Sequence, residues 1–159
     1  MEKQELRAEQ KRYHLPKMAT GESRGAFSMS EPELGSDVAA IRTRARKNGD
    51  GTYTIDGQKM WLTNGGSSTL VAALVRTDEG ADKPHRNLTA FLFHKDDPGW
   101  EITRRIPIMG PEEHGGHCEM IFDGLRIPGR NVVLEEGRGL KVVQTRLGVA
   151  RLTHCMRWL

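Results

Sequence analysis

The stretch RTRARKNGDGTYTIDGQKMWLTN, Arg42 to Asn64, decides the fold. Asn48-Gly49-Asp50-Gly51 concentrates residues that accept turn and left-handed conformations, and it separates Arg42–Lys47 from Thr52–Ile55. Asp56-Gly57 repeats the signal before Gln58–Asn64. The pattern predicts three strands joined by two hairpins. Further strand segments follow at Leu70–Arg76, Leu88–His94, Trp100–Arg104, Cys118–Phe122 and Leu125–Ile127, each bounded by Gly, Pro, Asn or Asp. Short strands at this spacing predict a mainly β fold, a small antiparallel β-barrel or sandwich from about Gly25 to Asn131.

The two ends carry a different signal. Residues 2–14 are rich in Glu, Gln, Lys and Arg, good helix formers, and Pro16 is expected to stop that run. From Gly139 to Leu159 apolar residues recur at Leu140, Val143, Leu147 and Ala150, one face of a helix. Val142, Val149, Met156 and Leu159 lie off that stripe, so the helix is apolar on more than one face. A helix is therefore expected at each end of the β-domain. Two helices leading nowhere from a complete β-domain are the expected marks of a piece of a longer protein.

Composition bounds the function classes. The chain has 159 residues, 36% of them hydrophobic and 28% charged, with 24 Lys and Arg against 21 Asp and Glu. No apolar run approaches the ~18 residues of a membrane-spanning helix. Met1-Glu2-Lys3-Gln4-Glu5 lacks an apolar core, so neither a signal peptide nor a transit sequence is expected. Cys118 and Cys155 form no spaced pair, which suits a reducing compartment. The net charge of +3 is compatible with anionic ligands. Aromatics make up 6% and are not interleaved with Lys and Arg, so nucleic acid is not an expected partner.

Two patterns can carry chemistry. The first is FSMSEPELGSDVAA, Phe27 to Ala40. Pro32 biases Glu31 away from helix, so Phe27–Glu31 should run extended with free backbone donors and acceptors. Gly35 permits close approach, and Ser36-Asp37 are suited to cap a short turn of helix at Val38–Ile41, a seat for phosphate or pyrophosphate. The second is KMWLTNGG, Lys59 to Gly66. On a strand Trp61 and Thr63 share one face, with Met60 and Leu62 on the other. An indole beside a hydroxyl can stack on a flat heterocycle and hydrogen-bond its edge.

Together these segments resemble the acyl-CoA dehydrogenases, flavoproteins that desaturate acyl-CoA thioesters. The matching residues are Ser30-Glu31, Gly35-Ser36-Asp37, Gly57-Gln58-Lys59, Trp61-Leu62-Thr63, Asn64-Gly65-Gly66 and the Glu136-Gly137-x-Gly139 lead-in. His114-Gly115-Gly116-His117-Cys118, Arg146-Leu147-Gly148, Arg151 and His154-Cys155-Met156-Arg157 resemble the branch containing family members ten and eleven. The resemblance implies that residues 1–24 end an N-terminal helical domain, 25–136 form the middle β-domain, and 137–159 begin a C-terminal helical domain.

It also implies FAD as cofactor. Phe27, Met29 and Ser30 would lie along the pyrimidine edge of the isoalloxazine, and Ser36 would approach the pyrophosphate and the acyl-CoA substrate. Trp61 would stack on the flavin within the Trp61-Leu62-Thr63 strand, and the Thr63 hydroxyl would bond N5. Ser28 and Leu34 depart from the family pattern and bear on substrate subtype. The proton-abstracting carboxylate is expected beyond Leu159; Ala150 occupies the position where a minority of members carry it. Electron-transfer flavoprotein or a similar acceptor and a homo-oligomeric state are implied as well. The implied compartment is the cytoplasm of a bacterium or the mitochondrial matrix of a eukaryote.

Other readings follow from single features. His114, His117 and Cys118 offer imidazole and thiolate but no fourth ligand, so no metal site is expected. From Gly137 to Leu159 there are five cations and no acid, which would suit an acidic partner or acids on neighbouring helices. The alternative function is a basic β-barrel that binds or assembles without enzymatic activity.

Overall fold

The computed structural model describes residues 8–77, 87–109 and 116–158. Helix α1 spans Ala8–Ala19 and helix α2 spans Gly139–Trp158. Between them lie strands β1 Gly25–Ser28, β2 Arg44–Lys47, β3 Thr52–Thr63 and β4 Leu70–Arg76. Strands β5 Leu88–His94, β6 Trp100–Ile106, β7 His117–Pro128 and β8 Val132–Val133 complete the set. The architecture is mainly β with a helix at each end, as expected.

The sheet runs β6-β7-β3-β2-β4-β5-β8, with β1 paired to β4, and it does not close into a barrel. A single parallel rung, Arg44 to Arg76, joins β2 to β4, so the sheet folds there into two halves that face each other. Tyr53 packs on Phe91 at 4.9 Å, and Phe93 meets Trp100 and Phe122 at 5.3 and 5.6 Å, all edge-on between the halves. The result is the sandwich option with two parallel pairings, β1–β4 and β2–β4, among antiparallel ones. Strands β4 and β5 are buried on both faces. Val71, Ala73, Val75, Phe91 and Phe93 line the core between the halves, while Leu74, Leu88 and Ala90 pack under Val142 and Val143 of α2. This double burial explains why both strands read as nearly continuous apolar runs, broken within Leu88–Phe93 only by the buried Thr89. Gly139 lets α2 dock, since a Cβ there would lie 2.5 Å from Leu74 and 2.8 Å from the Leu88 backbone.

Three sequence expectations are corrected. Asn48–Gly51 does form a hairpin, closed by Asn48 N–H to Thr52 O at 2.8 Å. Asp56-Gly57 does not: β3 continues through it, paired to β7 from Thr52 to Thr63. The glycine is needed there because φ is +140° and a Cβ would sit 2.7 Å from the Thr43 Cα. The two segments Cys118–Phe122 and Leu125–Ile127 likewise merge into β7, whose extra residue opposite Asp56 is held by Gly124 N–H to Asp56 Oδ1 at 2.8 Å. Pro16 lies inside α1 and does not stop it. That helix buries no residue, so water can satisfy the carbonyl that loses its donor.

Only the start of α2 is buried, at Gly139, Val142 and Val143. Val149, Leu152, Met156 and Trp158 are exposed. Among the described residues no helix is long and apolar enough to cross a membrane.

Candidate functional site

The two motifs meet at the end of β3. The Met60 N–H donates to Ser30 O at 2.9 Å, tying the segment after β1 to the strand that carries Trp61 and Thr63. The Phe27–Glu31 backbone is thus less free than expected. Gly25–Ser28 pairs in parallel with Leu70–Ala73, Met29 O and Ser30 O are both occupied, and Glu31 pairs with Leu34 across a tight loop.

Why the site forms here follows from a β-bulge. Lys59 pairs with Met120 and Leu62 with Cys118, so Met60 and Trp61 together oppose Glu119 alone. The extra residue shifts the alternation by one. Strict alternation places Lys59, Trp61 and Thr63 on one face. Lys59 keeps the inward alternation of Tyr53 and Ile55 and is fully buried; the bulge after it turns Leu62 inward in place of Trp61 and leaves Trp61 and Thr63 outside. Met60 is half-buried. Trp61 pays for the shift in conformation, with φ at +63°, a left-handed value that bulges usually assign to glycine. Such a residue costs about 1–2 kcal/mol and persists only where surrounding contacts hold it. Its side chain is 51% exposed.

Those surrounding contacts include a buried ion pair. Lys59 Nζ donates to Glu31 Oε1 and to Met29 O, each at 3.0 Å. The Glu31 carboxylate also accepts from Arg42 N–H at 2.8 Å, Thr43 N–H at 2.9 Å and the Thr43 hydroxyl at 2.6 Å. Burial pushes the Lys59 ammonium down to about 8 although Glu31 pulls it up. Burial would raise the Glu31 carboxyl, but Lys59 and the three donors bring it below its ordinary value. A buried pair so completely hydrogen-bonded fixes the loop that presents Met29 and Ser30. Sequence reading gave Glu31 and Lys59 no role beyond their place in the motif; the spacing of the two residues says nothing of burial.

His117 is a second residue that sequence reading left without a site role. It stands directly opposite Thr63 in the β3–β7 register, with its Nδ1 3.0 Å from the Thr63 hydroxyl. Its ring meets the Trp61 indole edge-on at 6.2 Å. The adjacent Cys118 is buried on the other side, where a Cβ on Gly65 would approach it to 3.2 Å. His114 lies outside the described residues.

The remaining predicted residues are placed as follows. Phe27 and Met29 are half-buried against the α2 side of the core, and the Arg146 guanidinium of α2 covers the Phe27 ring at 5.2 Å. Ser28 is buried, its hydroxyl directed to Met120 Sδ at 3.3 Å. Ser36 is exposed, and among the described residues no hydrogen bond links it to Trp61 or Thr63. The helical turn expected after it is a three-residue 3-10 turn, Val38–Ala40, without a side-chain cap from Asp37. So short a turn has almost no dipole, and the anion-seat reading loses its physical basis. A Cβ on Gly35 would meet nothing within 4 Å, so the space before Ser36 is open. A cleft of about 390 Å³ lies elsewhere, between α1 and β5, lined by Tyr13, His14 and Phe93 among others.

An exposed indole held out by a strained bulge, with a hydroxyl on the same side and open approach, fits a flat aromatic ligand such as a flavin ring. Comparison with known proteins gives the family. The family model "Acyl-CoA dehydrogenase, middle domain" matches residues 26–125. Mitochondrial isovaleryl-CoA dehydrogenase of Oryza sativa subsp. japonica is 38% identical over 143 residues, covering 90% of this chain and 34% of its own length. Acyl-CoA dehydrogenase family member 11 of Mus musculus is 35% identical over 154 residues, covering 94% of this chain and 20% of its own. The crystal structure of acyl-CoA dehydrogenase from Geobacillus kaustophilus superimposes with a TM-score of 0.82 at 35% identity, over 89% of this chain and 37% of that one. The chain thus spans about a third or less of the length of these relatives. On this sequence match and fold, the chain belongs to the acyl-CoA dehydrogenase family of oxidoreductases, matching its middle domain over residues 26–125.

Proposed function

We propose that this chain supplies the middle-domain part of an FAD-dependent site for α,β-dehydrogenation of acyl-CoA thioesters. The observation that carries the proposal is the bulge at Met60-Trp61, which spends backbone strain to hold an indole outward beside the Thr63 hydroxyl. Bound FAD would accept the β-hydride while a carboxylate outside these residues takes the α-proton. Within this chain, Trp61 offers a stacking face and Thr63 a hydrogen bond to the ring edge. Phe27, Met29 and Ser30 line the neighbouring edge, and Leu62 anchors the strand between them in the core. Exposed Ser36 is assigned to the pyrophosphate and acyl-CoA side by family resemblance. Electron-transfer flavoprotein as acceptor, a homo-oligomer, and a bacterial cytoplasmic or mitochondrial setting belong to the same proposal.

The test is FAD titration at millimolar concentration, because only part of a site is expected here and affinity falls when contact area is lost while ordering costs remain. Tryptophan emission should be quenched in the wild type and much less in Trp61→Phe. Equal quenching in both would refute the assignment. In a whole enzyme carrying this segment, Thr63→Val should slow flavin reduction by the loss of one hydrogen bond, about 1–3 kcal/mol, with substrate binding little changed. Unchanged reductive kinetics would count against Thr63.

A further inference from the structure

The Thr63–His117 contact has a property that a contact between two fixed groups lacks. A neutral imidazole carries its proton on one nitrogen and accepts with the other. If Nδ1 is bare, it takes the Thr63 hydrogen, and the hydroxyl can offer only lone pairs outward. If Nδ1 carries the hydrogen, it donates to the Thr63 oxygen, and the hydroxyl hydrogen is free for a ligand. His117 therefore selects whether Thr63 acts as a donor or an acceptor toward whatever docks on Trp61.

The ring is well placed to make that choice. It is half-buried, its Nδ1 is 3.0 Å from the hydroxyl, and its edge rests on the Trp61 indole at 6.2 Å, so two contacts fix its orientation. Opposite it on the other side of β7 stands Ile106, which offers its side chain no hydrogen bond. Resting on the flavin reading above, the ligand edge presents a ring nitrogen with a lone pair, which needs a donor.

We propose that His117 is a positioning residue that holds its hydrogen on Nδ1 and thereby presents the Thr63 hydroxyl as a hydrogen-bond donor to the ligand stacked on Trp61. His117 touches no reacting atom in this scheme; it acts through Thr63.

The test reads the ring protons directly. In the 15N-labelled chain, in slightly alkaline buffer, two-bond nitrogen–proton spectra distinguish a protonated from a bare ring nitrogen, and His117→Gln assigns the His117 signals. The wild type should show a protonated Nδ1 and a bare Nε2. Thr63→Val should shift Nδ1 to the bare position, since the partner that holds the less common tautomer is gone, and Thr63→Ser should restore it. A bare Nδ1 in the wild type overturns the proposal, as does a pattern unchanged in Thr63→Val. These arms need no ligand. Millimolar FAD provides a separate one: it should move the Trp61, Thr63 and His117 signals together. FAD that moves Trp61 and Thr63 but not His117 overturns the proposal. FAD that moves none of them overturns the flavin reading, and the ring-proton arms still decide whether His117 controls Thr63.

Discussion

Replacing Lys59 by methionine removes the charged group that, among the described residues, pairs with the buried Glu31 carboxylate. Methionine follows the path of the lysine stem, so packing is largely kept. What is lost is the ammonium and its two bonds, to Glu31 Oε1 and Met29 O. The carboxylate keeps the Arg42 and Thr43 backbone donors and the Thr43 hydroxyl, but loses its lysine donor, and Met29 O is left with no side-chain donor. Breaking a buried pair by removing one partner costs about 3–5 kcal/mol, a large share of the ~5–15 kcal/mol that holds a domain together. Urea unfolding followed by far-UV circular dichroism at low protein concentration measures the loss. Glu31→Gln should cost a similar amount, and the double variant should cost less than the two singles combined, with a coupling of about 2 kcal/mol. A loss below ~1 kcal/mol in Lys59→Met, or an additive double variant, would refute the view that this pair fixes the Met29-Ser30 loop.

Three further outcomes are expected. Lys59 loses its proton near pH 8 in the fold against an ordinary 10.5, so the unfolded chain binds more protons between those values. Because the neutral amine still donates to Glu31 Oε1 and Met29 O, as methionine cannot, wild-type stability should rise with pH across that window relative to Lys59→Met, and a flat difference between their urea midpoints would contradict it. Trp61→Gly should change stability by less than about 1 kcal/mol, because release of left-handed strain offsets loss of a half-exposed ring; a loss above ~2 kcal/mol in the same assay would show the indole braces the fold instead. Val149, Leu152 and Met156 recur on one exposed face of α2, at 66, 68 and 71% exposure, so the chain should self-associate there. Leu152→Lys with Met156→Lys should then lower the sedimentation coefficient toward that of a monomer, and an unchanged coefficient would place association elsewhere.

Local chemistry made much of the fold legible. The Asn48–Gly51 hairpin, the bounds of β4 and β5 and the helix at each end follow from turn residues, apolar runs and helix formers, which act over a few residues. Asp56-Gly57 misled for an equally local reason. The dipeptide suits a turn, but here its glycine answers to the Thr43 backbone 2.7 Å from where a Cβ would be. No neighbour in sequence reports that contact. Pro16 is the same kind of case, tolerated because α1 is exposed and its lost hydrogen bond can be made by water.

For the site, the sequence alone determined its ingredients: an aromatic and a hydroxyl two residues apart on a strand, and a Pro-limited segment able to lie beside them. Tertiary structure decided their use. One extra residue in β3 opposite Glu119 turned Leu62 inward and left Trp61 and Thr63 outside, away from the face on which Lys59 is buried, which alternation along the strand cannot reveal because a bulge exists only relative to a partner. It also supplied the partners, Glu31 for Lys59 across 28 residues and His117 for Thr63 across 54. A buried charge and a hydroxyl with two possible hydrogen-bond roles are both defined by what stands across from them. That is fixed by strand register, a property of the folded sheet and not of any one segment.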